Sequence, residues 1–226
     1  MIKNFNNLKE SGIRYGGHAG NKLGVVIDGE NWFLKFPKST KDLLRKVDIS
    51  YTTSPLSEYI GSHIYKSLGI PVHETMLGIK DEKLVVACKD FRKNQIDYRL
   101  DDYNSIKNDY VEGLEKKLES TSSSNPHAIN IDETIIIMNN NPLFNRVAGL
   151  KDRFWDMFIV DALIGNNDRN NGNWGVIVDN RTNETKIAPV FDNGASFNTK
   201  SSDENIERIL SDKERFKNSA YLSRIC

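Results

Sequence analysis

Four ionisable side chains stand where local structure alone gives them little reason to be. Lys35 interrupts the apolar run NWFLKF, and Glu58 falls in the first turn of the segment SPLSEYIGSHIYKSLG. Asp168 opens the loop NNDRNNGNWG (166–175), which carries five asparagines, and Asn173 follows it five residues on. Asp192 sits at the tip of TKIAPVFDNG. Each has an ordinary explanation. Lysines occur on edge strands, a Glu in a first helical turn is favoured by the helix dipole, and Asp and Asn satisfy backbone donors in turns. Their order along the chain is harder to dismiss, because it matches the needs of phosphoryl transfer. That reaction asks for little covalent help and much charge neutralisation and positioning. A strand lysine held by a helix glutamate can bind phosphates. An Asp in a loop after a helix can accept the proton of a hydroxyl. An Asn and a second Asp can offer oxygen ligands to Mg²⁺, a hard cation.

The elements that must position these residues are partly legible. KLGVVIDGENWFLKFP reads as two strands joined at Asp28-Gly29, a turn-forming pair. In the second strand Trp32, Leu34 and Phe36 share one face, with Phe33 and Lys35 on the other. Upstream, YGGHAGNKLG gathers Gly16, Gly17, Gly20 and Gly24 in a permissive stretch able to cover phosphates with backbone amides. The next segment reads as a helix capped by Ser54, with Pro55 in its first turn and Gly69 as its stop. Leu56, Ile60 and Ile64 form its apolar face, from which Glu58 is displaced. Two strands follow, in PVHETMLG and KLVVACKDF. Between 97 and 145 the pattern is weaker: VEGLEKKLES suggests a short helix, STSSSNP a polar loop, and IDETIIIMNNNP an apolar run too short to classify. KDRFWDMFIVDALIG is a clear helix. Phe154, Phe158 and Ala162, and likewise Trp155, Ile159 and Leu163, recur every four residues and predict burial on both stripes. WGVIV and TKIAPVF read as a hairpin after the loop, and Trp155 and Trp174 as core residues bracketing it.

Composition narrows the class. Lys plus Arg number 31, as do Asp plus Glu, so formal net charge is zero and no global field favours nucleic acid or an anionic membrane. No run approaches a membrane span, and the first fifteen residues lack the apolar core of a secretory signal. Two cysteines and four scattered histidines make neither a disulfide framework nor a metal-ligand spacing. A cytoplasmic, soluble protein is expected.

The segments FLKFP, SEYIGSHIYKSLGIP, IVDALIGNNDRNNGNW and APVFDNGASF resemble the kinase domain of the HipA-like serine/threonine kinases, over residues 14–91 and 152–197. The resemblance implies an α+β, protein-kinase-like two-lobed fold. Residues 1–91 would form a small β-rich N-lobe and 92–226 a mainly helical C-lobe, shortened at its end. It implies an enzyme using ATP and Mg²⁺ to phosphorylate Ser or Thr of a protein substrate, with autophosphorylation. Asp168 takes the place of the catalytic aspartate, and Asn173 and Asp192 those of the metal ligands. Lys35 takes that of the phosphate-binding lysine and Glu58 that of its partner. Ala87, Cys88, Lys89 and Asp90 would be the hinge that meets adenine through its backbone, the Cys88 thiol serving as a packing group. Gly16, Gly17, His18, Ala19, Gly20 and Asn21 would close over the phosphates, with His18 either touching them or solvated.

The chain departs from the kinase pattern in several places. Its glycine loop is not G-x-G-x-x-G, Asn166-Asn167-Asp168 stands for His-Arg-Asp, and Asn193 for the Phe of the metal-binding turn. No Ser or Thr lies between Tyr15 and Lys35, so phosphorylation of a serine in the nucleotide loop is not expected. Only 34 residues follow Asp192, without an Ala-Pro-Glu segment. That predicts apolar surface on the large lobe, covered by further chain or by self-association. Two other functions stay open: a nucleotide-binding module without transfer, and a kinase of small molecules or lipids, whose Gly-Asp-Arg-His loop GNNDRNNGN also resembles. The family likeness adds export or translocation into host cells without a standard signal.

Overall fold

The computed structural model describes residues 2–16, 22–41, 47, 49–111 and 129–222. The architecture is mixed α and β, a sheet-rich small lobe followed by a mainly helical one. Strands β1 (Lys3–Asn4), β2 (Lys22–Ile27), β3 (Glu30–Lys35), β4 (Thr75–Lys80) and β5 (Lys83–Lys89) form a sheet in the order β1-β4-β5-β3-β2. β1 runs parallel to β4 and the other pairs are antiparallel. Asp28 (φ 50°) and Gly29 (φ 80°) both adopt left-handed backbone at the β2–β3 turn, the twist-compatible form that Asp-Gly favours. The alternation expected in β3 holds. Trp32 and Leu34 pack with Phe5, Val25, Val85 and Ala87, while Phe33 and Lys35 face the cleft.

Helix α1 (Ser54–Ser67) lies between β3 and β4 in sequence. Thr53 rather than Ser54 is its N-cap, and Pro55 sits in the first turn. It stops as anticipated: Gly69 has φ 75°, its amide donates to Lys66 O at 3.0 Å, and that of Ile70 to Tyr65 O at 3.1 Å, a Schellman ending. The buried face differs from the apolar stripe. Leu56 and Ile60 are 36% and 39% exposed, whereas Ser57, Glu58, Gly61, Ser62 and Tyr65 are buried. The helix turns inward the face that carries Glu58, and small residues on that face admit the neighbouring turn. A Cβ on Gly61 would stand 2.9 Å from Asn193 Cβ.

The large lobe holds a second antiparallel sheet of β6 (Tyr98–Asp102), β7 (Gly175–Asp179) and β8 (Thr185–Ile187), in that order. Its helices are α2 (Tyr103–Val111), α3 (Ile131–Asn140), α4 (Pro142–Arg146), α5 (Leu150–Ile164), α6 (Asp203–Leu210) and α7 (Lys213–Leu222). The unclassified apolar run is thus α3, capped by Asn130, whose side chain accepts from Glu133 N at 3.1 Å. VEGLEKKLES and STSSSNP fall largely outside the described residues. An aromatic cluster forms the core: Trp174 stacks on Tyr103 at 4.4 Å and lies 5.2 Å from Phe154. Tyr65 of α1 joins it, so that helix contributes to both lobes.

In α5 only one stripe is buried, through Leu150, Phe154, Met157, Val160 and Ile164. Trp155, Ile159 and Leu163 are 38%, 65% and 73% exposed, contrary to expectation; among the described residues nothing covers them. Gly165 (φ 62°) ends the helix, and Asn166 N donates back to Asp161 O at 2.9 Å. Among the described residues no helix is long and apolar enough to cross a membrane.

Gly61 provides a test of the packing between α1 and the Asn193 turn. Replacing a helical Gly by Ala ordinarily stabilises by about 1 kcal/mol, but here the added carbon meets backbone-proximal atoms that cannot rotate away. Gly61→Ala should instead destabilise by about 1–2 kcal/mol, the cost of mild overpacking. Urea unfolding followed by tryptophan fluorescence measures the sign.

Candidate active site

Lys35 reaches from β3 into a charged junction. Its Nζ donates to Glu58 Oε2 at 2.6 Å and to Asp192 Oδ1 at 2.7 Å. Glu58 is fully buried, and its other oxygen is bonded twice. His73 Nε2 lies 2.9 Å from Oε1, and Asn193 N donates to the same atom at 3.0 Å. His73 is itself placed by backbone bonds to the segment before the Asp192 turn, His73 N to Val190 O at 3.0 Å and Val190 N to Pro71 O at 2.9 Å. Burial pushes the Glu58 carboxyl up, but the Lys35 ammonium and the bond to His73 outweigh it and hold it well below the usual carboxylate range. Burial likewise raises Asp192, and Lys35 more than offsets this. The ammonium, which burial lowers, is held well above its ordinary value by Asp192 and Glu58. All three charges are therefore retained.

The 166–175 loop is built around a residue that the sequence reading did not single out. Arg169 is 4% exposed. It donates to both oxygens of Asp161, at 2.6 Å from Nε and 3.1 Å from Nη2. It also donates to Asn173 O at 2.8 Å, Phe191 O at 2.5 Å and Asn193 Oδ1 at 2.7 Å. One guanidinium thus ties helix α5, the loop and the Asp192 turn together, a task that suits its planar fork of donors. Asp161 also accepts from Tyr65 Oη at 2.9 Å and Asn166 Nδ2 at 3.0 Å. The amides of the loop serve its backbone. Asn166 Oδ1 accepts from Asp168 N at 3.2 Å, Gly172 N donates to Asn170 Oδ1 at 2.9 Å, and Asn173 Nδ2 donates to Asp168 O at 2.8 Å. Asp168 is left exposed to the cleft, and Asn173 also lines it, with no hydrogen bond to its amide oxygen among the described residues. Asp192 carries φ 62°, a strained backbone for a non-glycine residue, and the bonds to Phe191 O and Asn193 N on either side of it hold it there.

These residues surround a cleft of about 810 Å³ that includes Lys35, Asp168, Asn173 and Asp192. Tyr15 and Phe33 make one aromatic wall, 4.6 Å apart, and Phe91 and Phe191 another, at 5.6 Å. Gly16 borders the cleft, while Gly17, His18, Ala19, Gly20 and Asn21 lie outside the described residues. The strand-to-linker transition comes later than the sequence suggested. Ala87, Cys88 and Lys89 are still in β5, paired with β3 and β4, and are not part of the cleft wall. The amides of Lys89 and Asp90 are spent on Glu74 O and Asn31 O, each at 2.9 Å. The wall is formed instead by Asp90, Phe91, Arg92 and Gln95. Burial keeps the Cys88 thiol protonated, its pKa well above normal.

Three further residues escaped the sequence reading. His73 was one of four scattered histidines, Asp161 a lone acid in an apolar helix, and Lys22 an ordinary lysine at a strand start. The second had a usable signal, since an acid inside FIVDALIG must be paired if buried. Lys22 borders the cleft, its Nζ 2.8 Å from Gly16 O and 5.7 Å from the Phe33 ring centroid. Burial, then Lys35, depress its pKa, and no carboxylate lies at ion-pair distance among the described residues.

No family model matches the chain. Serine/threonine-protein kinase CtkA of Helicobacter pylori (strain J99) is 40% identical over 197 residues, covering 87% of this chain and 56% of CtkA. The chain therefore spans little more than half the length of that curated relative. A crystal structure of the H. pylori proinflammatory kinase CtkA matches with a TM-score of 0.80 at 34% identity, over 96% of this chain and 69% of the other. HipA of Shewanella oneidensis MR-1, solved with HipB and operator DNA, gives 0.44 at 13% identity. With CtkA matched in sequence along most of the chain, and in fold along nearly all of it, the chain belongs to the serine/threonine-protein kinase family of CtkA.

Proposed function

We propose that the cleft binds ATP with Mg²⁺ and transfers the terminal phosphoryl group to a Ser or Thr hydroxyl of a protein, the chain's own hydroxyls included. The observation that carries this reading is Lys35 Nζ held between Glu58 and Asp192 at 2.6 and 2.7 Å, in a cleft shared with Asp168 and Asn173.

The adenine lies between the Phe33 and Phe191 walls, and meets the linker at Asp90, Phe91 and Arg92 rather than at Ala87 or Cys88. Flat aromatic faces suit a base by stacking. The triphosphate extends toward Lys35, which Glu58 keeps charged and aimed. Lys22 supplies the second cation. A cleft ammonium without a carboxylate partner is costly until an anion arrives, and the phosphates are that anion. Asn173 Oδ1 and the Asp192 carboxylate would hold Mg²⁺, since a neutral amide oxygen and a carboxylate are the hard donors this ion takes; the charge neutralisation it would supply is to the phosphate oxygens. The Asp168 carboxylate faces the acceptor. As the hydroxyl oxygen bonds to the γ-phosphorus and the bond from that phosphorus to the bridging β–γ oxygen breaks, the hydroxyl proton passes to Asp168 and ADP leaves.

Loss of the proton acceptor should slow transfer without emptying the cleft. Asp168→Ala is expected to lower transfer from γ-labelled ATP by about 10²–10⁴-fold, the usual worth of a positioned base, while the rise in melting temperature with Mg-ATP persists. Undiminished transfer in that variant overturns the role of Asp168. A Mg-ATP shift without transfer in the wild type turns the reading to a nucleotide-binding module.

Lys22→Met separates phosphate binding from base binding. Affinity for ATP should fall by about ten- to a hundredfold, the worth of a charge-assisted hydrogen bond, with adenosine affinity unchanged; calorimetric titration of both ligands gives the comparison.

A further inference from the structure

A second groove, of about 350 Å³, reaches Asp168 from beside the start of α1. It shares Lys35, Lys38, Asp168 and Asp192 with the larger cleft, so the two spaces meet at the carboxylate that faces the acceptor. Thr52 and Ser54 stand on one wall and Asn198, Thr199 and Lys200 on the other.

The walls are fastened to each other and to the body of the protein. Thr53 N donates to Thr199 O at 3.0 Å, Ser57 Oγ to Ser196 O at 2.8 Å, and Phe197 N to Ile164 O at 3.1 Å. Lys38 is pinned to Thr52, its N donating to Thr52 Oγ1 at 3.2 Å and its O accepting from Thr52 N at 2.9 Å. Phe197 and Asn198 follow one another in left-handed backbone, at φ 59° and 54°. Two consecutive non-glycine residues there are unfavourable unless surrounding bonds impose them. Their effect is to bring Asn198, Thr199 and Lys200 to the groove.

The charges divide clearly. Lys35, Glu58 and Asp192 are committed to one another. Lys38 and Lys200, one from each wall, have no ion pair among the described residues. The remaining lining is largely hydroxyl, amide and backbone, with Phe36 the only aromatic residue among the described ones. Such a surface offers hydrogen bonds to an extended backbone and two cations to side chains beside it, and little to an apolar anchor.

We infer that this groove seats the acceptor segment and selects a Ser or Thr flanked by acidic side chains. The inference rests on the phosphoryl-transfer reading of the cleft and deepens it by naming the substrate class. Lys38 and Lys200 act as specificity residues, meeting carboxylates on either side of the acceptor, while the hydroxyl itself meets Asp168.

Two fluorescent peptides test it, each with one central Ser, one flanked by Glu and Asp and the other by Lys. They are titrated by anisotropy against protein saturated with Mg²⁺ and a non-hydrolysable ATP analogue, at low and high salt. The acidic peptide should bind at least about tenfold tighter at low salt, less so at high salt. Lys38→Glu with Lys200→Glu should abolish or reverse that preference, and Lys200→Gln, at an exposed position, should reduce it. Equal binding, tighter binding of the Lys peptide, or an acidic preference that survives the double substitution overturns the inference. The melting shift with Mg-ATP distinguishes the two levels. A normal shift with no acidic preference overturns the groove alone; no shift in the wild type overturns the nucleotide reading and this one with it.

Discussion

Everything at the cleft depends on burying one ammonium between two carboxylates. Desolvating such charges is expensive, and their attraction compensates only where the geometry is good and the remaining lone pairs are satisfied. Both conditions are met at Lys35. The second oxygen of Glu58 takes His73 and the backbone of Asn193, so both oxygens of that carboxylate are hydrogen-bonded. The constraint propagates outward. To deliver Glu58, α1 gives up apolar burial at Leu56 and Ile60. Where the Asn193 turn approaches to reach Glu58, position 61 carries no Cβ to crowd it.

Arg169 does for the large lobe what Lys35 does for the junction between lobes. Its partners come from α5, from Asn173 and from both sides of Asp192. The proposed proton acceptor and metal ligands thus hang on one rigid cation beneath the cleft floor. They keep their spacing as a unit, and Asp168 can stay exposed without being loose. The richness in asparagine has the same origin. The loop must satisfy many backbone groups close to acidic residues, and amides do this without adding negative charge.

Much of this was readable from residue order. The alternation in β3 put Lys35 opposite the packed face, Gly69 marked the end of α1, and the 166–175 loop stood out by composition. What escaped shares a cause: it depends on partners distant in the chain. Leu56 and Ile60 form the better apolar stripe, yet a buried ion pair dictated which way α1 faces. Trp155, Ile159 and Leu163 repeat as regularly as the buried residues of α5, and periodicity alone cannot tell a covered stripe from an uncovered one. The strand β5 continues through Lys89 because β3 and β4 both extend beside it, which no local signal at Ala87 or Cys88 reports. Arg169 looks ordinary until its pairing with Asp161 is seen. Lys22 becomes notable only because, among the described residues, no carboxylate stands at ion-pair distance from it.

The bonds to Glu58 span very different lengths of chain. His73 lies 15 residues away, Lys35 lies 23 away, and Asn193 lies 135 away. The first two can form within the small lobe as it is made, but the third must wait for almost the whole chain. Contacts of such long reach are the slow ones to close. Until that amide arrives together with Asp192, Glu58 and Lys35 lack half of their enclosure and remain open to water. The charged junction is therefore a late product of folding, and the cleft acquires its electrostatic character only when the two lobes have met.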